Sequence, residues 1–214
     1  MELLSCATLI VVGYLLGSIP TGYLVAQSRG VDIRTVGSGN IGATNVLRTL
    51  GKPAGIFVFF ADALKGWLAV VLLPELVFLI FGISADPTTR EVYSILGGVS
   101  ALLGHNYTCW LHFKGGKGIA TSAGVLLALV PWALVIIFGV WMVLFFLTRF
   151  VSIASIAAAA TLPFASWITR ESLPKVLVTG AMAVLAIYKH RSNIQRLIAG
   201  TEPQVSLKKK EAAK

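Results

Sequence analysis

The chain has 214 residues, 56% hydrophobic and 13% charged, with a mean hydropathy of +0.82. Soluble domains carry about 25% charged residues, so this chain lacks the polar cover for a water-facing surface and reads as an all-α, polytopic membrane helix bundle. The net charge of +9 marks cytoplasmic loops, anionic headgroups or anionic substrates in so hydrophobic a chain, and argues against nucleic acid as a partner. Barrel strands alternate apolar and polar over roughly 10 residues, whereas Val125–Leu147 is apolar on every face.

The chain starts Met1-Glu2-Leu3, with no basic segment before its first apolar run and no small-x-small site after it. That run, Leu3–Ala26, is therefore expected to be a retained helix. A span needs about 20 apolar residues at a 1.5 Å rise. Further candidates are Pro53–Phe81 (bending near Pro74), Val92–Trp110, Ile119–Leu147, Val151–Ile168 and Leu173–Tyr188. Ile119–Leu147 is long for one span, and Pro131 interrupts it. It is either one tilted helix or a hairpin turning near Pro131-Trp132, with arms of roughly 14–16 residues that are short against the usual range.

The positive-inside rule decides between them. With a hairpin, Arg29, Arg34, Arg48, Lys52, Lys114, Lys117, Arg149, Lys189, Arg191, Arg196 and the Lys208-Lys209-Lys210 tail share one side. Arg90, Arg170 and Lys175 fall on the other, beside Glu2, Asp86, Glu91 and Glu171. A single helix destroys this bias. The expectation is seven transmembrane helices, N-terminus outside and C-terminus cytoplasmic. Residues 1–204 then form a single membrane domain, and 205–214 a basic, disordered cytoplasmic tail. Cys6 and Cys109 lack metal-ligand spacing and would lie near opposite faces, so no disulfide is expected.

On this topology three polar, glycine-bearing segments meet the cytoplasmic face. The first is Gly37-Ser38-Gly39-Asn40-Ile41-Gly42-Ala43-Thr44-Asn45, flanked by Arg34 and Arg48. Glycines let backbone N–H groups approach a ligand, and successive N–H groups can form an anion-binding concavity. Arginine adds a fork that matches phosphate. An ordinary flexible loop is the competing account, although such loops are usually richer in Lys, Glu and Pro.

The second segment is Gly104-His105-Asn106, then His112-Phe113-Lys114-Gly115-Gly116-Lys117-Gly118. Its basic run opens an expected helix at Ile119, and a helix N-terminus favours anions. It is too short for a Walker A loop and no strand precedes it. It would otherwise anchor lipid headgroups. The third segment, Tyr188 to Leu197 with Gly200, Thr201 and Glu202, is expected to continue the last helix into the cytoplasm. His190, Asn193 and Leu197 share one face of it. A basic helix end explains it equally well. Asp62 and Lys65, three apart inside the second span, are expected to form an internal ion pair, since unpaired charges in lipid are costly. The histidines show no metal-binding pattern, so no metal or other cofactor is expected.

At these residues the chain resembles the bacterial acyl-phosphate:glycerol-3-phosphate acyltransferases. Gly17-Ser18-Ile19-Pro20-Thr21-Gly22-Tyr23 with Ser38 through Asn45 is similar to the family's first motif, Gly104 through Gly118 to its second, and His190 through Leu197 with Gly200 and Glu202 to its third. The resemblance runs from Leu3 to Glu202. It implies transfer of an acyl group from acyl phosphate to the 1-hydroxyl of glycerol 3-phosphate, giving lysophosphatidic acid and phosphate for phospholipid synthesis. It implies a multi-pass protein of the bacterial cytoplasmic membrane, with the bilayer and the two substrates as partners and no obligate protein partner. The His-x-x-x-x-Asp pair of soluble-domain acyltransferases for the same acceptor is missing: Trp110, Lys117 and Gln195 stand five residues after His105, His112 and His190.

On that resemblance Ser38, Gly39, Asn40, Gly42, Thr44 and Asn45 are expected to hold phosphate and the tetrahedral centre. Arg48 and Lys114 would neutralise the two phosphates, and His190 and Asn193 would orient the acceptor. Ser38, Lys114, His190 and Asn193 are the expected catalytic residues; His105, Asn106, Gly115, Gly116, Gly118 and Glu202 join the binding set. Lys117 binds too, or positions its loop. Either His190 or the leaving phosphoryl oxygens take the hydroxyl proton. The main competing function is transport of an organic phosphate, but transporters often show internal repeats and midplane sites, and this sequence shows neither. A structural or lipid-anchoring protein would leave the glycine and asparagine runs without a reason.

Overall fold

A computed structural model describes residues 2–205. Among them lie ten α-helices and no strand, which suits apolar runs whose backbone groups must be satisfied within the segment when no water reaches them.

The first apolar run divides at Pro20 into α1 (Glu2–Ser18) and α2 (Thr21–Gln27), where the sequence predicts one helix. Proline has no N–H to donate and its ring disrupts the preceding turn. Side chains take the carbonyls at the break: Thr108 Oγ1 donates to Ser18 O at 2.6 Å and Lys65 Nζ to Ile19 O at 2.8 Å. A helix, α3 (Ala43–Leu50), also forms within the predicted first loop. Gly51, at φ +91°, ends it in a conformation few side chains adopt.

The next helix, α4 (Lys52–Phe81), carries Pro74 inside it. Pro74 cannot bond the Val70 carbonyl, and Ser94 Oγ donates to that oxygen instead at 3.1 Å. Ser94 belongs to α5 (Pro87–Asn106), which starts at Pro87 rather than Val92 because Asp86 caps it, accepting from Thr89 N at 2.7 Å. It ends at Asn106 rather than Trp110, and Cys109–Leu111 forms a separate 3-10 turn.

The long central stretch breaks at Val130, just before the expected proline, into α6 (Ile119–Leu129) and α7 (Pro131–Thr148). The pieces are unequal, 11 and 18 residues. At 1.5 Å per residue α6 rises only about 16 Å, roughly half of a hydrocarbon core. The chain continues through α8 (Val151–Ile168), α9 (Leu173–Lys189) and α10 (Arg191–Ile198). Among the described residues four stretches are long and apolar enough to cross a membrane: Glu2–Gln27, Lys52–Phe81, Pro131–Thr148 and Val151–Ile168.

The helices form two compact units, one up to Pro131 and one from Trp132. In the first, α1 packs on α5 and α4, and α4 also receives α3 and α6. The seams are lined by small residues, which is how membrane helices approach closely. A Cβ on Gly17 would strike the Ala101 backbone, and one on Gly124 the Ala63 carbonyl. Tyr14 Oη donates to Tyr107 O at 2.6 Å across the α1–α5 seam. In the second unit α8 packs on α9, and Trp141 Nε1 of α7 donates to Ser155 Oγ at 3.1 Å. Both units leave large apolar side chains exposed, among them Phe60, Leu79, Trp132 and Leu147, as a lipid-facing surface requires. Both cysteines are free thiols. Of the tail expected from residue 205, positions 206–214 lie outside the described residues.

Candidate active site

The loop before α3 is organised by one side chain. Asn45 is buried, and its Nδ2 donates to the carbonyls of Asn40 at 2.9 Å, Val36 at 3.0 Å and Ile33 at 3.2 Å. Its Oδ1 accepts from Ser38 N at 2.9 Å. Asn40 Oδ1 accepts from Gly42 N at 2.9 Å and so sets the approach to α3. Gly39 turns at φ +68°, in the left-handed region that favours glycine. Asn40 and Asn45, expected to touch phosphate, thus spend these groups on the loop, while Ser38 is half-buried and Thr44 exposed. Neither hydroxyl has a protein partner among the described residues. The first turn of α3 starts at Gly42 and leaves N–H groups without intrahelical partners. Arg48 lies half-buried on α3. Arg34 grips Asp32, with Nη2–Oδ2 at 2.7 Å, and that guanidinium holds the Asp32 carboxyl down at about 2.

The second segment wraps the end of α5. His105 and Asn106 are buried. Gly116 N donates to His105 O at 3.1 Å, and Gly115 N to Asn106 O at 3.3 Å. Those two amides, expected to face an anion, are therefore engaged within the protein. A Cβ on Gly116 would overlap His105 Nε2, so glycine is needed for the close approach. Gly118 presses on Asn106 and starts α6, whose first turn holds the remaining N–H groups. In that turn Thr121 is wholly buried, its hydroxyl unpartnered among the described residues. Lys114 is exposed and Lys117 half-buried. Leu111 shares a buried apolar cluster with Ile33, Ile41 and Val46, so the first and second segments rest on one core.

Beneath them lies the ion pair that the sequence predicts. Lys65 Nζ is 2.8 Å from Asp62 Oδ1, and both side chains are almost wholly buried. Thr21 Oγ1 donates to the same carboxylate oxygen at 3.0 Å.

The third segment belongs to the second unit. The helix does not run on past Lys189: it breaks at His190, and α10 begins anew. His190 is buried, with Nδ1 2.7 Å from Ala186 O. A carbonyl only accepts, so Nδ1 carries a proton and the neutral ring has its lone pair on Nε2. Asn193 Nδ2 donates to Glu202 Oε1 at 2.6 Å, and Arg196 Nε to Glu202 Oε2 at 2.7 Å. Burial pushes the Glu202 carboxyl up, but the hydrogen bonds from Asn193 and Arg196 and the charge of Arg196 hold the group below its ordinary range. Glu202, expected in the binding set, spends both oxygens on holding this segment together.

The network at the α1–α2 break escapes sequence reasoning, because nothing local pairs Thr21 with Asp62 or Lys65 with a carbonyl 46 residues away. The signal for α3 was present in Gly51, a stop directly after an apolar periodic stretch.

The family model described as glycerol-3-phosphate acyltransferase matches residues 7–200. A glycerol-3-phosphate acyltransferase of Trichormus variabilis is 45% identical over 210 residues, which is 95% of this chain and 93% of that protein. One from Geobacter sulfurreducens is 46% identical over 195 residues, 91% and 94% of the two chains. The crystal structure of PlsY, an integral membrane glycerol 3-phosphate acyltransferase, in its glycerol 3-phosphate form has a TM-score of 0.82 at 39% identity, covering 94% of this chain and 96% of that one. Its lysophosphatidic acid form gives 0.80 at 38%.

Proposed function

The chain belongs to the glycerol-3-phosphate acyltransferase family, and on that premise we propose how its residues divide the work. It is an integral membrane acyltransferase whose acceptor is glycerol 3-phosphate and whose product is lysophosphatidic acid. The donor is an acyl phosphate. The acceptor's 1-hydroxyl oxygen attacks the acyl carbonyl carbon, its proton passes to His190 or to the departing phosphoryl oxygens, the bond from that carbon to the phosphate oxygen breaks, and inorganic phosphate leaves.

The observation that carries this reading is the frame around Asn45. It consumes the loop's own polar groups and leaves the Ser38 and Thr44 hydroxyls for a ligand, beside open N–H groups of α3. Arg48 and Lys114 neutralise the two phosphates, whose mutual repulsion would otherwise keep the substrates apart. Donors facing the developing oxyanion lower the barrier, and holding both substrates in line supplies proximity. His190 and Asn193 orient glycerol 3-phosphate. Seven segments, α1 and α4 to α9, cross or enter the bacterial cytoplasmic membrane, with the N-terminus outside and the chemistry on the cytoplasmic face. The short α6 reaches only part of the way.

The test uses purified protein in detergent with palmitoyl phosphate and glycerol 3-phosphate. Phosphate and lysophosphatidic acid appear in equal amounts, and folded Ser38→Ala or Lys114→Ala protein loses most of that turnover. Silence from the folded parent across acyl-chain lengths would overturn the donor assignment.

A further inference from the structure

Asp62 and Lys65 lie outside all three motif segments, on α4 in the apolar part of the chain. Buried charge there is costly and is kept where it is paired or functional. Each group of this pair also reaches a different element. Lys65 Nζ donates to Ile19 O at 2.8 Å, at the break between α1 and α2. Asp62 Oδ1 accepts from Thr21 Oγ1 at 3.0 Å, at the start of α2, and stands 3.7 Å from His105 Nδ1 at the end of α5. His105 in turn is the surface on which the second segment turns: its carbonyl accepts from Gly116 N, and Gly116 lies against its ring. The α2 helix packs on α3, behind the first segment. Two charges on one helix therefore connect to both segments, through His105 on one side and Thr21 on the other.

We propose that Asp62 and Lys65 are positioning residues for acyl transfer, which fix the 114–118 segment in register with the 37–45 loop through His105 and the α1–α2 break. The proposal rests on the reading that those two segments hold the substrates. Lys65 is already matched by a carboxylate and a carbonyl, so its role is to place other cations rather than to meet phosphate itself.

Removing one partner leaves a buried charge unmatched and strongly destabilises the fold. Asp62→Asn combined with Lys65→Met removes both charges and keeps the volumes, so it is compared with each single change and with the parent, all as full chains in detergent. The neutral double variant is expected to keep the parental elution profile and thermal midpoint. Its kcat/KM for glycerol 3-phosphate falls roughly tenfold, within the range that small misplacements cost, mainly through KM, and it outperforms Lys65→Met alone. Hydrogen exchange at Gly115 and Gly116 quickens while the interior of α4 stays protected.

A folded double variant with parental KM, kcat and loop exchange would overturn the proposal. So would a double variant no better than Lys65→Met with Asp62→Asn near parental, because that pattern marks Lys65 as a substrate ligand. Failure of the underlying reading looks different: the parent itself is inactive, while the exchange comparison still reports whether the pair holds the loop.

Discussion

Asn45 closes four hydrogen bonds with its one amide. Replacing it by Ala takes this partner from the Ile33 and Asn40 carbonyls and the Ser38 N–H, while Val36 O keeps Gly39 N, at about 1–3 kcal/mol for each group left buried and unmatched. Asn45→Ala is expected to abolish turnover and to quicken hydrogen exchange over residues 36–42, with the helices of the first unit still protected. His190→Ala separates the two routes for the hydroxyl proton. If His190 is the base, turnover is nearly lost while acceptor binding survives; weak binding with a modest loss in turnover assigns the proton to the departing phosphate. Glu202 gives a pH signature. Its carboxyl is held below the ordinary 4.5, so the stability it contributes is complete above that value and disappears as pH falls through the lowered one. Glu202→Gln weakens the charge-assisted bonds to Asn193 and Arg196 at neutral pH, at a cost of about 1–3 kcal/mol, and flattens the acid limb of a thermal-midpoint titration.

Prolines shape the elements, and in two cases a distant side chain answers for the broken bond. Pro20 ends α1, and the open carbonyls there meet Thr108 and Lys65. Pro74 stays inside α4, where Ser94 takes the Val70 carbonyl. Interhelical hydrogen bonds in membranes average about 0.6 kcal/mol and reach about 1.7 kcal/mol. Ser94→Ala is expected to cost that much in the parent and less in a Pro74→Ala background, where residue 74 supplies its own N–H. A double-mutant cycle on thermal or denaturant unfolding measures the difference; equal costs in both backgrounds would refute the assignment. The break at Pro131 belongs to the same class, yet the sequence misjudges its proportions: α6 starts at Ile119 as expected but ends at Leu129, and α7 takes up Pro131 itself and runs on to Thr148. The position of a proline says where a helix is interrupted. It does not say how the residues are shared between the interrupted pieces.

For the whole molecule the proposed orientation makes a direct prediction. In protein lacking Cys6 and Cys109, Ser84→Cys lies in the exposed α4–α5 connection and Ser28→Cys in the exposed stretch after α2. In intact cells a membrane-impermeant thiol reagent should label position 84 and spare position 28 until the membrane is opened; the reverse pattern would invert the topology. Much of this organisation is legible in the sequence. Hydropathy marks the long apolar stretches, because in lipid every backbone group must bond within its own segment, and α8 has the bounds expected for it. The three polar segments stand out because glycine, asparagine and basic residues are out of place in so apolar a chain. Packing decided the rest. Which asparagine builds a loop and which hydroxyl is left open depends on neighbours several residues away, as with Asn45 and Ser38. That Asp62 and Lys65 connect the α1–α2 break to His105 depends on neighbours 40 or more residues away. Hydrogen bonds and ion pairs act over about 3–4 Å in space, a separation that linear order does not encode, so the sequence by itself determined a membrane helix bundle with three polar segments, and only the tertiary structure decided which of their groups support one another.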